Sequence, residues 1–172
     1  MKTLTGIFLL LLCAGASAQL KHDPLSSIEV DRMRDSAQDP GKRIELLLGF
    51  ARVRLLGVEK LRVNANSGRH DIAKAEELLG DFALLLDELD DNLEMYNKRG
   101  EDLRTPLRHV LDAEADFQRE LKGLADGIAQ VQPQGPATVG LAAALEDAKD
   151  SLQSSTESAG AMLAAEERKS VV

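Results

Sequence analysis

Between Asp71 and Lys98, the residues Ile72, Ala75, Leu79, Phe82, Leu86, Leu89, Leu93 and Tyr96 recur at alternating steps of three and four without interruption. An α-helix brings such positions to one side, so the stretch predicts a long helix with a single dry seam of coiled-coil type. Projected at about 100° per residue, the opposite side carries Glu76, Glu77, Asp81, Asp87, Glu88, Asp91 and Glu94 and is expected to face water. The other helices of the chain have to cover this seam.

The chain opens with MKTLTGIFLLLLCAGASA. Lys2, the apolar run Ile7 to Ala14 and the small residues of Ala16-Ser17-Ala18 predict a signal peptide over 1–18, cut between Ala18 and Gln19. An exported protein, periplasmic or secreted, is the expectation. The apolar run falls short of the roughly 20 residues of a transmembrane helix, so no stable membrane insertion is expected after cleavage. Leu12 precedes Cys13 where a lipoprotein signal needs a small residue. The single cysteine therefore leaves with the leader, and the remaining chain can form no disulfide, cysteine-ligated zinc site or thiol nucleophile. With a formal charge of −8, no tryptophan and 3% aromatic residues, the chain offers neither the basic face nor the stacking partners that nucleic acid requires.

Start signals delimit the other elements. Ser26-Ser27-Ile28-Glu29 has the spacing of a capping box and predicts a short helix from Ser27 to about Ala37. Asp39-Pro40 sets an N-cap before a proline at the first helical position, opening a second helix that runs to about Val63. This helix carries two apolar stripes, one of Ile44, Leu47, Leu48, Ala51, Leu55 and Val58, the other of Leu46, Phe50, Val53, Gly57 and Leu61. Two covering neighbours are expected, with Gly49 and Gly57 open to close helix approach. Residues 64–70 read as a turn, and Gly100 marks a second. Thr105-Pro106 then reads as a cap and first residue, although Leu103 already fits the next seam, that of Leu107, Val110, Phe117, Leu121, Leu124 and Ile128. Short connections predict that the second, third and fourth helices pack up-down-up as neighbours. Residues 129–140 read as a proline- and glycine-rich linker. Beyond it, Leu141, Leu145, Ala148, Leu152, Ser155, Ala159 and Met162 predict a helix whose small side chains bury little area.

Few constellations suggest chemistry. His22, His70 and His109 stand apart, without the spacing of zinc or di-iron helices, and no nucleophile elbow or phosphate loop occurs. Asp87, Asp91 and Glu94, with Asp90 nearby, are the candidates for weak divalent-cation binding, although a straight helix displays carboxylates outward. Charge is segregated: residues 40–70 sum to +5 and residues 71–94 to −8, which predicts that the second and third helices adjoin. Glu114 interrupts an apolar face, where an unpaired carboxylate is costly to bury. The expectation is a register-fixing pair with Arg54, or failing that with Arg52.

The stretch from Asp39 to Leu55, DPGKRIELLLGFARVRL, resembles a segment of uncharacterised bacterial extracytoplasmic helical proteins, in which D-P-x-K-R-x-x-L, then F-A and R-L, opens a long helix. The likeness extends to the lead-in Asp23-Pro24-Leu25. It implies a domain of unknown function and supplies no catalytic residue. Small helical periplasmic chaperones are a looser comparison, and their L-T-x-x-Q motif is missing. The reading is an all-α antiparallel bundle over 19–128 of three long helices plus a short N-terminal one, then the linker and a less tightly held Ala/Ser-rich C-terminal helix over 141–172. A non-catalytic envelope interaction or scaffolding protein without a cofactor is expected, its partner another envelope protein or a second copy. Cation binding or a chaperone-like helper role is the alternative.

Overall fold

The computed structural model describes residues 23–61, 67–129 and 136–169, with the side chains of 136–138 excepted. The leader, Cys13, His22, the end of the second helix past Leu61 and the middle of the linker lie outside them. The described residues form five helices and no strand: α1 (Ser27–Asp35), α2 (Pro40–Leu61), α3 (Arg69–Lys98), α4 (Arg104–Ala129) and α5 (Pro136–Lys169). The all-α bundle is as expected. None of these helices is long and apolar enough to cross a membrane.

The local signals act through their hydrogen bonds. Glu29 N–H donates to Ser26 Oγ, and Ser26 N–H donates to a Glu29 carboxylate oxygen at 2.8 Å, completing the capping box of α1. Lys42 N–H donates to Asp39 Oδ1 at 3.0 Å ahead of α2. At the end of α3, Gly100 takes a left-handed φ of 76°. It lets Glu101 N–H reach Tyr96 O and Gly100 N–H reach Asn97 O, the paired bonds of a Schellman stop. The start of α4 follows the earlier position suggested by Leu103 and not the Thr105-Pro106 cap. Asp102 Oδ1 accepts from Arg104 N–H, so α4 begins at Arg104, and Pro106 falls inside the first turn, where no N–H is needed.

Four helices enclose the core in the cyclic order α2, α3, α5, α4, and α1 lies against α2 alone. Arg43 meets Asn92 while Arg54 meets Asp81, so α2 and α3 are antiparallel. Gly140 lies beside Glu76 and Ser155 beside Asp90, so α3 and α5 run parallel. The predicted alternation of direction holds, but α3 and α4 are not neighbours: they face one another diagonally and meet through their large side chains. Phe82 and Phe117 touch edge to face, with centroids 5.4 Å apart. Residues 99–103 can reach roughly 15 Å, against a diagonal of roughly 11–14 Å for helices packed 8–10 Å apart. Tyr96 and Leu103, both buried, plug the end that this connection crosses.

All eight residues of the α3 seam are buried. So is Leu85, because α3 is flanked on two sides and not one. The C-terminal helix begins earlier than expected. It starts at Pro136, inside the predicted linker, runs for 34 residues and packs against both α3 and α4. Its small inward residues Ala148, Ser155 and Ala159 are fully buried. Small side chains remove less area from water, but they admit the helix closer to its neighbours.

Candidate functional site

Two buried polar clusters and one exposed apolar stripe stand out from an otherwise conventional bundle. The first cluster is centred on Arg54, which is only 9% exposed. Its guanidinium donates to both carboxylate oxygens of Glu29, at 2.9 and 2.7 Å, to Asp81 Oδ2 at 3.2 Å and to Pro24 O at 2.5 Å. One side chain thereby ties the lead-in, α1 and α3 to α2. Burial pushes the Glu29 carboxyl up, but the bonds from Arg54 and Ser26 outweigh it and hold the group down at about 2. The bonds to Glu29 raise the Arg54 pKa in turn. Asp81, assigned from its helical position to the wet face of α3, is thus buried at the α2 boundary. Arg43 repeats the arrangement one end further on, donating to Asn92 Oδ1 at 2.7 Å and to Met33 O at 3.3 Å. The predicted pairing of a basic α2 with an acidic α3 is therefore realised through Arg43 and Arg54.

The second cluster surrounds Glu114. It is buried, as its place in the α4 seam requires, but the pair with Arg54 does not form, nor the one with Arg52. Arg54 is taken up by Glu29 and Asp81, while Arg52 lies over the Phe117 ring and pairs with Asp116 at 3.3 Å and Glu120 at 3.7 Å. Glu114 instead faces α5 and α3. Both of its oxygens are shielded from water and have no hydrogen-bond partner among the described residues. Ser155 Oγ donates to Asp90 Oδ1 at 2.7 Å and Thr156 Oγ1 to Leu152 O at 2.8 Å, so those hydroxyl protons are engaged elsewhere. Burial pushes the Glu114 carboxyl up to about 7; the two hydroxyls offset part of that rise and the Asp90 charge adds to it. Asp90 is itself pushed up, by burial first and by Asp87 and Asp91, against the pull of Ser155. The arginines of α2 are committed to other carboxylates, and Glu114 is turned toward α5 and α3, which bring it two hydroxyls and a further acid.

The cation candidates are not gathered into a site. Asp87 and Asp91 border a groove with Asp23, Leu25 and Leu84, whereas Glu94 turns to Lys98 at 2.7 Å. Among the described residues no group of three or more His, Cys, Asp or Glu is placed to hold a metal ion. His70 and His109 are exposed.

The exposed feature is on α2. The second stripe expected there is only partly covered: Phe50 is buried and Gly57 lies under Leu78, but Val53 stays 55% exposed. Leu56, which sequence reading placed on neither stripe, is 39% exposed three residues on. Gly49 precedes Val53 by one turn and has nothing within 4 Å of where a Cβ would sit. The outer side of α2 thus presents Gly49, Val53 and Leu56 at helical spacing, where charged side chains are usual. Comparison with protein-family models, with curated proteins and with solved structures returns no match to this chain.

Proposed function

We propose that this is a non-catalytic interaction or scaffolding domain, exported on the strength of the Met1–Ala18 pattern, that engages a protein partner through the outer face of α2. The observation that carries the reading is the pair Val53 and Leu56, left in water on a helix whose other apolar residues are used in the core. Burying a valine or leucine is worth about 1.5–3 kcal/mol, and this face leaves much of that available to a partner. Gly49 beside them would let a second helix cross closely. The resemblance of residues 39–55 to helical extracytoplasmic proteins supports an envelope setting, and the partner is another envelope protein or a second copy of the chain.

Site-specific photo-crosslinking in cells tests this. A crosslinker at position 56 is expected to trap one discrete species, whose mass separates a second copy from a different protein. A crosslinker at exposed Gln153 on α5 serves as the control. Equal yields at the two positions, or none at 56, would overturn the assignment of this face.

A further inference from the structure

Glu114 sits where α3, α4 and α5 meet, and none of those helices supplies it with a cation. Asp90 is the charged group of α3 acting on it, and α5 presents the hydroxyls of Ser155 and Thr156. On α2, Arg52 is held by Asp116 and Glu120, and Arg54 by Glu29 and Asp81. A carboxylate in this setting has only the partial help of the Ser155 and Thr156 hydroxyls, whose protons are directed to Asp90 and to Leu152 O. A carboxylic acid fits it well, because the oxygens of Ser155 and Thr156, having given their protons to Asp90 and Leu152, can still accept one.

The surroundings determine what ionisation would move. Next to Glu114 the inward residues of α5 are Ser155 and Ala159, so this part of the helix has little apolar area to offset a buried charge. Three residues before Ser155 and further back, Leu152, Leu145 and Leu141 hold the other half more firmly. Towards the C-terminus Met162 and Leu163 are only partly buried, and Arg108 pairs with Glu167 at 2.7 Å in an exposed position. Loss of the Glu114 proton therefore strains the later part of α5 first.

We propose that Glu114 is a proton-operated latch: protonated, it holds the second half of α5 against α3 and α4, and ionised, it lets that half open and uncovers the apolar faces beneath. The faces uncovered belong to the end of α3 and the start of α4, around Leu93, Leu107 and Val110, a surface separate from Val53 and Leu56. The latch stands whether or not the outer face of α2 binds a partner.

Hydrogen exchange read by mass spectrometry on the full chain, corrected for the intrinsic pH dependence of amide exchange, tests the latch at pH 5.5 and pH 8. Protection over residues 152–169 is expected to fall roughly 25-fold at the higher pH, the ratio that follows from a carboxyl at about 7 in the closed helix and at 4.5 in the open one. In Glu114→Gln, which keeps the shape without the titration, the fall should vanish. Asp90→Asn removes the like charge and should move the midpoint to lower pH and make the fall smaller without abolishing it. Equal pH dependence in the wild type and Glu114→Gln would overturn the proposal, as would unchanged protection in the wild type. If Glu114→Gln does not fold, a carbon-13 titration of the Glu114 carboxyl in the wild type decides: a midpoint near 7 supports the latch, and one near 4.5 rejects it.

Discussion

Arg54 donates to four oxygens on three segments, and each of those segments would otherwise have to be held by packing alone. The short helix α1 buries a single apolar residue, Met33, so its attachment depends heavily on polar contacts. Replacing Arg54 by methionine would preserve volume but remove the cation that both oxygens of Glu29 bind in a poorly hydrated place. Breaking a buried pair in this way costs about 3–5 kcal/mol. Arg54→Met is therefore expected to lose that much stability in urea denaturation, and to become sensitive to proteolysis between α1 and α2, at residues 36–39. A loss below 1 kcal/mol with intact α1 would mean that the cluster is incidental. The same residue shows how far sequence reading goes. Its basic character marks α2 as the partner of acidic α3, which is correct, but the acceptor expected for it, Glu114, is wrong: Glu29 and Asp81 take that place. Turn counting along three consecutive helices puts Glu114 level with Arg54, but it does not show that Glu114 faces α5 and α3.

At the scale of the element, spacing and capping residues were highly legible. The seam of α3 is buried residue for residue, and Ser26, Asp39 and Gly100 each act at the ends they mark. Neighbour relations were much less so, because a period of 3.6 residues shows which side is dry and not which helix dries it. That is why Asp81, at the margin of the seam, was assigned to water, and why α4 was placed beside α3. Whether α5 docks at all was open for a related reason: the helical spacing of Leu141 to Met162 marks a dry side but not the α3 and α4 faces that receive it. The helical glycines separate two roles that composition cannot. Gly49 has a helical backbone and open space, so Gly49→Ala is expected to add about 0.5–1 kcal/mol by helix propensity. Gly100 sits at φ +76°, so Gly100→Ala should instead cost about 1 kcal/mol or more. Thermal melts of the two variants should move in opposite directions; a rise for Gly100→Ala would contradict the Schellman stop.

For the whole molecule, the two clusters set opposing limits on stability as pH changes. The Glu29 carboxyl is held at about 2, below its ordinary 4.5, so its contribution is present above pH 4.5 and is lost as pH falls through 2. Glu114 lies on the other side. Its carboxyl is raised to about 7, so its contribution is complete below pH 4.5 and is lost as pH rises through 7. Asp87 and Asp90 are also raised by burial, so their contributions likewise begin to be lost as pH rises above their ordinary 3.8. Near pH 5 both clusters are in their preferred states, and the acidic chain, with an isoelectric point of about 4.9, carries little net charge to repel itself. The fold should accordingly be most stable at about pH 5 and not at neutrality. By pH 8 the ionisation of Glu114 alone is expected to remove about 3 kcal/mol, the equivalent of its displacement from 4.5 to about 7. Urea midpoints measured from pH 3 to pH 9 would trace this curve. Glu114→Gln should flatten its alkaline limb and leave the acidic one in place, whereas Glu29→Gln should weaken the acidic limb only. A wild-type maximum at pH 7 to 8 would mean that Glu114 is charged and satisfied in the folded chain, contrary to its buried and unpartnered position.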